Sequence, residues 1–500
     1  MQTDAFLFLH TLSSLGLQEV FRALYKSYNQ QKNGVEIWFV GGQIRDCLLH
    51  HMPDLIDFDL VVKPGHRTLE VTEVVAKLLS SHRQNQETTH FFVLDQERAT
   101  YRITHPSFQI DINACRGDTL QDDQFSRDFS MNAICYSLKD VVSALDTSRT
   151  TLEAIDYFGG FEDLHNGVIR AQNPSALIDD PLRILRAFRL AGTLNSTIEE
   201  KTLGWMMEAK ERFCLISPER IRDEFFHILN HADSYPILVQ MESSGILDAF
   251  FPFLSLFKEI DQTYTTKLQV KNHTLSLVYY LEQLFHRIQL KNFPDWEILL
   301  PELNKTISGN RKVSALLKLA GLLHDVGKPS TLSLEEDRLR FFNHEIVGSV
   351  MAREWMEKMR LSNHQVSWVC QMIEHHMRPH NLSNADKLTK KAQYRFFKET
   401  EHGLPLLILA LADAYATKMI PMGELPQYEA FVSEMVTFYS LPEQVKPCPL
   451  LNGHEIMNLL SLSPGRLIGD LTEQLLELQS VGDIHTKEEA INYLKNKNYE

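Results

Sequence analysis

Two glycines followed by a spaced pair of aspartates form the most chemically suggestive pattern in this chain. Gly41 and Gly42 follow a short apolar stretch, and such a turn before a helix lets backbone N–H groups approach phosphate oxygens. Asp57 and Asp59 begin a second apolar run, so on a strand their carboxylates share one face, about 7 Å apart at the backbone. This combination suits Mg²⁺ ions that bridge a nucleoside triphosphate.

Both patterns also have a purely structural interpretation: the glycine pair as a simple turn, and the aspartate pair as a solvated strand edge. The second fits poorly, because Leu60-Val61-Val62 continues the run as a buried strand. Asp111 lies between two isoleucines, where an unpaired acid would be costly to bury. It is a candidate third metal ligand, and the alternative is an acid on the exposed face of an alternating strand.

A second group of residues with ligand chemistry lies further along the chain. Imidazoles and carboxylates grouped on helices suit divalent transition metals. A lone histidine on a helix is usually structural, but an ordered set is more specific. The set is His273, His324-Asp325, His344, His375-His376 and Asp413.

The elements that must position these residues differ along the chain. Short apolar runs separated by turn residues predict strands at 37–40, 58–62, 91–94, 100–103 and 108–112. Helical periodicity dominates from Pro181 onward. We therefore expect an α+β N-terminal domain with a mixed sheet, followed by all-α domains, and 500 residues allow two to four domains.

Composition limits the classes of function. No apolar run is long enough for a transmembrane helix, so no membrane partner is expected. Six scattered cysteines without a C-x-x-C pair predict reduced thiols and a cytoplasmic location. The net charge of −15 counts against a nucleic-acid binder, although screening allows a local basic face, for which the stretch 183–222 supplies arginines and lysines.

Five ordered segments resemble the signature motifs of the bacterial-type (class II) tRNA nucleotidyltransferase and poly(A) polymerase family. They cover roughly residues 36 to 230. The segments are Gly41–Asp46 with Asp57–Asp59, Arg127–Ala133, Asp156–Leu164 with Ile169–Arg170, Asp179–Arg189, and Ser217–Ile221.

The resemblance implies a role for each matching residue. Asp57 and Asp59, with Asp111 as a possible third, would hold the two Mg²⁺ ions that activate an RNA 3′-hydroxyl and steady the pyrophosphate. The nucleotide-binding set would comprise Gly41, Gly42 and Arg45 at the triphosphate, Arg127, Asp128 and Asn132 at the ribose and phosphates, and Asp180, Arg183, Arg186 and Arg189. Asp128 would select ribose, and Asp180 and Arg183 would read the base from one helix face.

Two departures from the family pattern bear on specificity. Ser126 stands where the family has the first arginine of R-R-D, so a phosphate or ribose contact is expected to be missing. Full CCA-adding members carry a flexible loop before the second motif, whereas only 104–107 separate two predicted strands here. Addition of only CC or only A therefore stays open beside complete CCA addition.

The histidine set resembles the HD metal-dependent phosphohydrolase superfamily. By that resemblance His273, His324, Asp325 and Asp413 hold one transition metal, while His344 with His375 or His376 completes a second site; His375 is the member we assign. An HD fold that has lost turnover is the alternative. The implied domains are a head (1–150), a helical neck (151–240), the HD domain (241–440) and a helical tail (441–500).

The implied function is template-independent addition of C, A or both to the tRNA 3′ end, with tRNA, CTP and ATP as partners and a further HD phosphohydrolase activity. The alternatives are a poly(A) polymerase, or an HD phosphohydrolase whose N-terminal half only binds RNA. The sequence leaves the oligomeric state open.

Overall fold

The computed structural model divides the chain into two compact units, Met1–Ile216 and Ser217–Glu500. The described residues are 1–29, 34–51, 56–82, 89–253, 255–256, 270–290, 296–309, 311–335, 338–385, 387–418, 422–445 and 447–496. No helix in these ranges is both long and apolar enough to cross a membrane.

The first unit is built on a mixed sheet with the strand order β1-β8-β7-β2-β3-β6-β5-β4. The central strands β3 and β6 run parallel, and the other neighbouring strands pair antiparallel. The strands are β1 (Gln2–Asp4), β2 (Glu36–Val40), β3 (Ile56–Lys63), β4 (His90–Asp95), β5 (Thr100–His105), β6 (Phe108–Ala114), β7 (Cys135–Ser137) and β8 (Thr151–Ile155). A separate parallel pair consists of β9 (Val168–Ile169) and β10 (Thr197–Ile198).

Helices cover this sheet and continue beyond it to the end of the unit. They are α1 (Phe6–Ser14), α2 (Gln18–Asn29), α3 (Gly42–Leu48), α4 (Thr68–His82), α5 (Leu120–Phe125), α6 (Leu138–Thr147), α7 (Gly160–Asn166), α8 (Pro174–Asp179), α9 (Leu182–Thr193) and α10 (Glu200–Ala209).

Alternation along the central strands separates an aromatic core from the acidic face. Phe39 of β2 and Phe58 of β3 pack edge-on with Phe8 and Phe21 from the helices. Side chains of opposite parity, such as Asp59, point to the other face of the sheet. The hydrophobic helices therefore fix which face of β3 presents its carboxylates.

The second unit is mainly helical. Its helices are α11 (Pro218–Leu229), α12 (Tyr235–Ser243), α13 (Val270–Gln289), α14 (Leu299–Asn304), α15 (Val313–Leu323), α16 (Lys328–Thr331), α17 (His344–Lys358), α18 (Asn363–His375), α19 (Met377–Ser383), α20 (Lys390–Glu399), α21 (Gly403–Lys418), α22 (Pro426–Tyr439), α23 (Pro442–Val445), α24 (Gly453–Leu460), α25 (Arg466–Val481) and α26 (Lys487–Lys495). A hairpin of β11 (Leu332–Glu335) and β12 (Arg338–Phe341) interrupts them.

The structure confirms the predicted fold class and each of the five predicted strands, which correspond to β2 to β6. The sheet is wider than predicted, because β1, β7 and β8 also join it, and β8 lies beyond the predicted head border at residue 150. These added strands have three to five residues each, too short for a clear alternating pattern. The division into four domains stays a prediction.

Candidate functional site

The glycine turn and the aspartate pair lie against each other in the first unit. Val40, the last residue of β2, pairs with Asp59 of β3, so the turn at Gly41 faces the Asp59 side chain. A Cβ built on Gly41 would lie 2.3 Å from Asp59 Oδ2, and the backbone there has φ +93°, which favours glycine. Glycine is thus required at position 41 to let the carboxylate pack against the backbone.

Like charge and burial destabilise the ionised aspartates. Burial raises the pKa of Asp59 to about 7, and the neighbouring charge of Asp57 adds to the shift. Burial also raises the pKa of Asp57, with Asp111 as the next cause. A bound cation would relieve this repulsion, and the oxygen-only donor set fits a hard divalent ion.

Asp111 is in register with Asp59 on the adjacent parallel strand. It is buried, and both of its carboxylate oxygens accept hydrogen bonds from Arg102 at 2.7 Å. The structure therefore places the candidate third ligand beside the pair but neutralises it with an arginine. A role for Asp111 as a metal ligand stays a prediction.

One hydrogen-bond network joins the first, second and fourth motifs. Arg45 Nη1 donates to Asn132 Oδ1 at 2.7 Å, and Asn132 Nδ2 donates to Asp128 Oδ1 at 3.1 Å. Arg186 donates to Asp128 Oδ2 from Nε at 3.1 Å and from Nη2 at 2.8 Å. Burial alone would raise the pKa of Asp128, but Arg186 and Arg183 hold it well below its usual value.

Asp128 therefore connects the two halves of this network, since it binds both Asn132 and Arg186. Its Oδ1 also accepts from the Phe129 amide at 2.9 Å, so each carboxylate oxygen accepts two hydrogen bonds within the chain. A carboxylate has about four acceptor positions. Contact with a ribose hydroxyl would therefore require one of these donors to be exchanged.

Arg127 points toward a carboxylate that the sequence reasoning missed. Its Nε donates to Asp123 Oδ2 at 2.9 Å, and Asp123 is almost completely buried. The spacing of four residues was the available signal, because an acid one helical turn before an arginine commonly pairs with it. Arg127 also contributes to the electrostatic environment of Asp59.

The third motif shapes the second. Asp156 accepts from the amides of Phe158, Gly160 and Phe161, which folds the start of α7. A Cβ on Gly160 would lie 2.1 Å from the Ser130 carbonyl oxygen, so only glycine permits this packing against the second motif. The third motif thus holds the backbone of the second motif in place.

The fourth motif places three arginines along α9. Arg183, Arg186 and Arg189 are each half-buried and three residues apart, so they share a helix face. Arg183 Nη1 donates to the carbonyl oxygens of Ser126 at 3.0 Å and Ala176 at 3.1 Å.

The expectation that Asp180 and Arg183 share a helix face is wrong. Asp180 follows the last residue of α8 with φ −142° and ψ 88°, and α9 begins only at Leu182 after Pro181. Proline fixes its own φ and disfavours a helical residue before it, so Asp180 lies on the connection. The backbone N–H of Arg183 nevertheless donates to the Asp180 carbonyl at 3.0 Å, which keeps the two residues adjacent.

In the second unit the histidines and aspartates form two clusters, each able to hold a metal ion. The first contains His273, His324 and Asp413, and the second contains Asp325, His344 and His376.

Asp325 lies between the clusters. Its Oδ2 is 3.1 Å from His324 Nε2, and its Oδ1 is 3.6 Å from His344 Nε2. One carboxylate oxygen therefore faces each cluster, an arrangement suited to a bridging ligand. The expected assignment of Asp325 to the first metal alone is too narrow.

Backbone carbonyls orient the imidazoles. Nδ1 of His324, His344 and His376 lies 2.7–2.8 Å from the carbonyl oxygens of Gly321, Phe341 and Ile373, respectively. Since a carbonyl only accepts, Nδ1 must carry a proton, which leaves Nε2 of each ring facing its cluster as the atom that could bind a metal. Burial also lowers the pKa of His376 to about 4, which favours the neutral form that a metal needs.

His376, and not His375, completes the second cluster. His376 is buried and its Nε2 lies 3.3 Å from His344 Nε2, whereas His375 belongs to neither group. Adjacent helical residues point about 100° apart, so only one member of this pair can face the ligands. This corrects the assignment of His375.

Comparison with known proteins identifies the family of this chain. The Poly A polymerase head domain family matches residues 37–170, the HD domain family matches 270–418, and the family described as a probable RNA and SrmB-binding site of polymerase A matches 196–257. An A-adding tRNA nucleotidyltransferase of Deinococcus radiodurans is 30% identical over 408 residues, which cover 80% of this chain and 84% of that protein. The chain belongs to the tRNA nucleotidyltransferase and poly(A) polymerase family.

Other family members differ in how much of this chain they match. A CC-adding tRNA nucleotidyltransferase of Geobacter sulfurreducens is 28% identical and covers 93% of this chain and 92% of its own length. Poly(A) polymerase I of Salmonella typhimurium is 29% identical but covers only 50% of this chain. A solved Thermotoga maritima CCA-adding enzyme complexed with tRNA has the same fold, with a TM-score of 0.64, 18% identity and 99% coverage of both chains.

The HD clusters of this family member open on a cavity of about 880 Å³. Asp325, His344, His376 and Asp413 contribute to its wall. The basic residues Lys328, Arg340 and Lys418 line the same cavity. Three acidic residues, Asp325, Asp413 and Glu424, balance their charge, and the basic side chains are the groups that could bind a phosphate ester.

Proposed function

We propose that this chain transfers C, A or both from CTP and ATP to the 3′ end of tRNA. The observation that carries the proposal is the network from Arg45 through Asn132 and Asp128 to Arg186, beside the paired carboxylates of Asp57 and Asp59. It brings together residues from motifs more than a hundred positions apart. The family relationship over most of the chain indicates the same activity.

The proposed reaction is in-line attack of the RNA 3′-hydroxyl on the α-phosphate, with pyrophosphate as the leaving group. Mg²⁺ held by Asp57 and Asp59 would supply Lewis-acid stabilisation of the charge that develops on the phosphates. Gly41 keeps the Asp59 carboxylate close to the backbone, and we assign Gly41, Gly42 and Arg45 to the triphosphate. We assign Arg127, Asp128 and Asn132 to the ribose and phosphates of the nucleotide.

We assign base recognition to Asp180 and Arg183. A carboxylate accepts from an exocyclic amino group, and a guanidinium donates to a ring nitrogen or carbonyl. Cytosine and adenine both present an amino donor beside an acceptor, so two side chains can replace a template. The contact of Arg183 with Ser126 links this base site to the second motif.

Poly(A) polymerase is the nearest rival function. Poly(A) polymerase I of Salmonella typhimurium matches 50% of this chain, whereas the CC-adding tRNA nucleotidyltransferase of Geobacter sulfurreducens matches 93% of it. That difference favours tRNA as the substrate. The free thiols of all six cysteines agree with action in the cytoplasm.

A second proposed activity, phosphohydrolysis, belongs to the HD region. The observation that favours it is the pair of ligand clusters that share Asp325 at the wall of the cavity. Divalent transition metals held by the mixed imidazole and carboxylate donors would supply Lewis-acid activation of a phosphate ester. The oriented Nε2 atoms fit such ions.

The test uses three tRNA transcripts that end before CC, after C and after CC, each with CTP, ATP or both in the presence of Mg²⁺. Stepwise growth to CCA without further extension identifies a complete CCA-adding enzyme. Growth that stops after CC, or that needs the CC-ended transcript and ATP, identifies a partial enzyme. Long A tails on unrelated RNA would overturn the tRNA proposal.

Two variants assign the activities to their sites. Asp57→Asn should abolish nucleotide addition and leave hydrolysis of a phosphate ester unchanged. His324→Ala should do the opposite. Loss of both activities in either variant, with the fold intact, would contradict two separate sites.

A further inference from the structure

Position 126 lacks an arginine that the second motif normally supplies. Ser126 follows the last residue of α5, and its hydroxyl turns back to donate to the Asp123 carbonyl at 2.8 Å. The Ser126 side chain is therefore engaged within its own helix end. It cannot replace the charge or the reach of a guanidinium.

Two other guanidinium groups converge on the main chain at this position. Arg116 Nη1 donates to the Ser126 carbonyl oxygen at 3.3 Å, and Arg183 Nη1 donates to the same oxygen at 3.0 Å. Arg116 comes ten residues earlier in the sequence, and the turn into α5 returns the chain toward it. Its side chain is exposed, so a ligand can reach it.

The backbone around Arg116 is held in place. Its N–H donates to Asp123 Oδ1 at 3.1 Å, the carboxylate that also binds Arg127. The following Gly117 has φ +80°, and a Cβ there would lie 2.5 Å from the Asp122 side chain. Thr119 and Asp122 form a reciprocal capping box at the start of α5. Arg116 is thus presented from an ordered turn.

The carboxylates nearest Ser126 are bound by other arginines. Arg127 is paired with Asp123, and Arg186 is paired with Asp128. The guanidinium groups of Arg116 and Arg183 instead donate to carbonyl oxygens. Asp123 and Asp128 act on Arg116 and Arg183 through space without a direct ion pair within the described residues.

Arg116 lies beside the second motif. Burial lowers the pKa of Arg183, the charge of Asp128 opposes that shift, and the neighbouring charge of Arg116 adds to it. The charge of Asp128 also acts on Arg116. An anion bound by Arg116 would therefore lie beside Asp128 and its network, the part of the site that we assign to the ribose and phosphates.

We propose that Arg116 supplies the guanidinium that position 126 lacks and binds the triphosphate of the incoming CTP or ATP. The assignment rests on the proposed nucleotidyl transfer. A triphosphate is favoured over the RNA strand because Arg116 lies against the second motif, next to Ser126 and Asp123. Arg116 is a substrate-binding residue in this view, additional to the motif residues.

The test compares Arg116→Ala and Arg116→Lys with Arg67→Ala, a partly buried arginine outside the motifs that forms an ion pair with Glu70. Binding of CTP and ATP is titrated without RNA, inhibition by inorganic pyrophosphate is measured, and KM is determined separately for nucleotide and tRNA. Loss of a charge-assisted contact should raise the nucleotide Kd and KM and the pyrophosphate Ki by about 10- to 100-fold in Arg116→Ala. The lysine variant should lose less, and Arg67→Ala and the KM for tRNA should not change.

A second-site variant provides a rescue. Ser126→Arg, introduced into Arg116→Ala, restores the family arrangement at position 126 and should recover most of the nucleotide affinity. Unchanged nucleotide binding in Arg116→Ala, or a rise confined to the KM for tRNA, would overturn the assignment. A native protein that binds CTP but extends no tRNA would refute nucleotidyl transfer, while the binding titration would still decide the role of Arg116.

Discussion

Replacement of Gly41 by alanine gives the sharpest test of how the fold positions the Asp59 carboxylate, for which we propose a catalytic role. The added Cβ would stand 2.3 Å from Asp59 Oδ2, and an ordinary contact needs about 3.4 Å. The carboxylate must then move by about 1 Å, because the turn backbone is fixed by β2 and α3. The backbone at φ +93° and ψ −160° is also a region that is nearly confined to glycine.

Both effects have definite magnitudes. The backbone conformation should cost about 1–3 kcal/mol of folding stability. A displacement of about 1 Å at a reacting centre commonly lowers the rate about 100-fold. Gly41→Ala should therefore remain folded and lose about 100-fold or more in kcat/KM for nucleotide addition.

The matched control is Gly16→Ala. Gly16 also has a positive φ, +67°, but a Cβ there meets no atom within 4 Å. It should lose about 1–2 kcal/mol of stability from the backbone strain and retain nucleotide addition. Single-turnover extension of a tRNA transcript and denaturant unfolding measure the two quantities. Full activity in a folded Gly41→Ala protein would refute the idea that this glycine positions Asp59.

Three further predictions concern other parts of the molecule. His376→Ala should lower the rate of phosphate-ester hydrolysis about 100-fold or more, and His375→Ala should leave it nearly unchanged. A larger loss in His375→Ala than in His376→Ala would contradict the assignment of His376 to the second cluster. Because the pKa of Asp59 is raised to about 7, its protonated form prevails below that pH. Nucleotide addition at low Mg²⁺ should therefore fall as the pH drops through about 7. A higher Mg²⁺ concentration should shift this fall in rate to lower pH. A rate independent of pH between about 8 and 5.5 would contradict this cause. Lys318→Met should cost about 3–5 kcal/mol of unfolding free energy, because it removes the cation that binds the buried Glu282 carboxylate at 2.7 Å. Glu282→Gln in the same chain removes the charge and keeps an acceptor for Ser234, so it should recover much of the loss. An unfolding midpoint equal to that of the native protein would show that the ion pair is dispensable.

The sequence was sufficient for features that depend on local pattern. The predicted strands that correspond to β2 to β6 are all present, because alternation and turn residues determine them within a few positions. The same alternation placed Asp57 and Asp59 on one face of β3. Motif order was enough to place the chain in its family before any distance was known.

Local pattern failed where one residue changed the direction of the chain. The spacing of Asp180 and Arg183 fits a shared helix face, but Pro181 separates the two helices that meet there. The choice between His375 and His376 likewise depended on which side of α18 faces the other ligands. Neither outcome is encoded in spacing alone.

Only the tertiary structure decided which charges compensate each other. Asp111 is bound by Arg102 from the neighbouring strand, Asp128 is held by Arg186 of a later helix, and Arg116 meets Ser126 across a turn. Residue type predicts that a buried charge needs a partner, but strand register and helix packing determine which partner comes within hydrogen-bonding distance. The sequence therefore determined the chemical groups of the site, and the fold determined how they are paired, because pairing energies depend on distances that only packing sets.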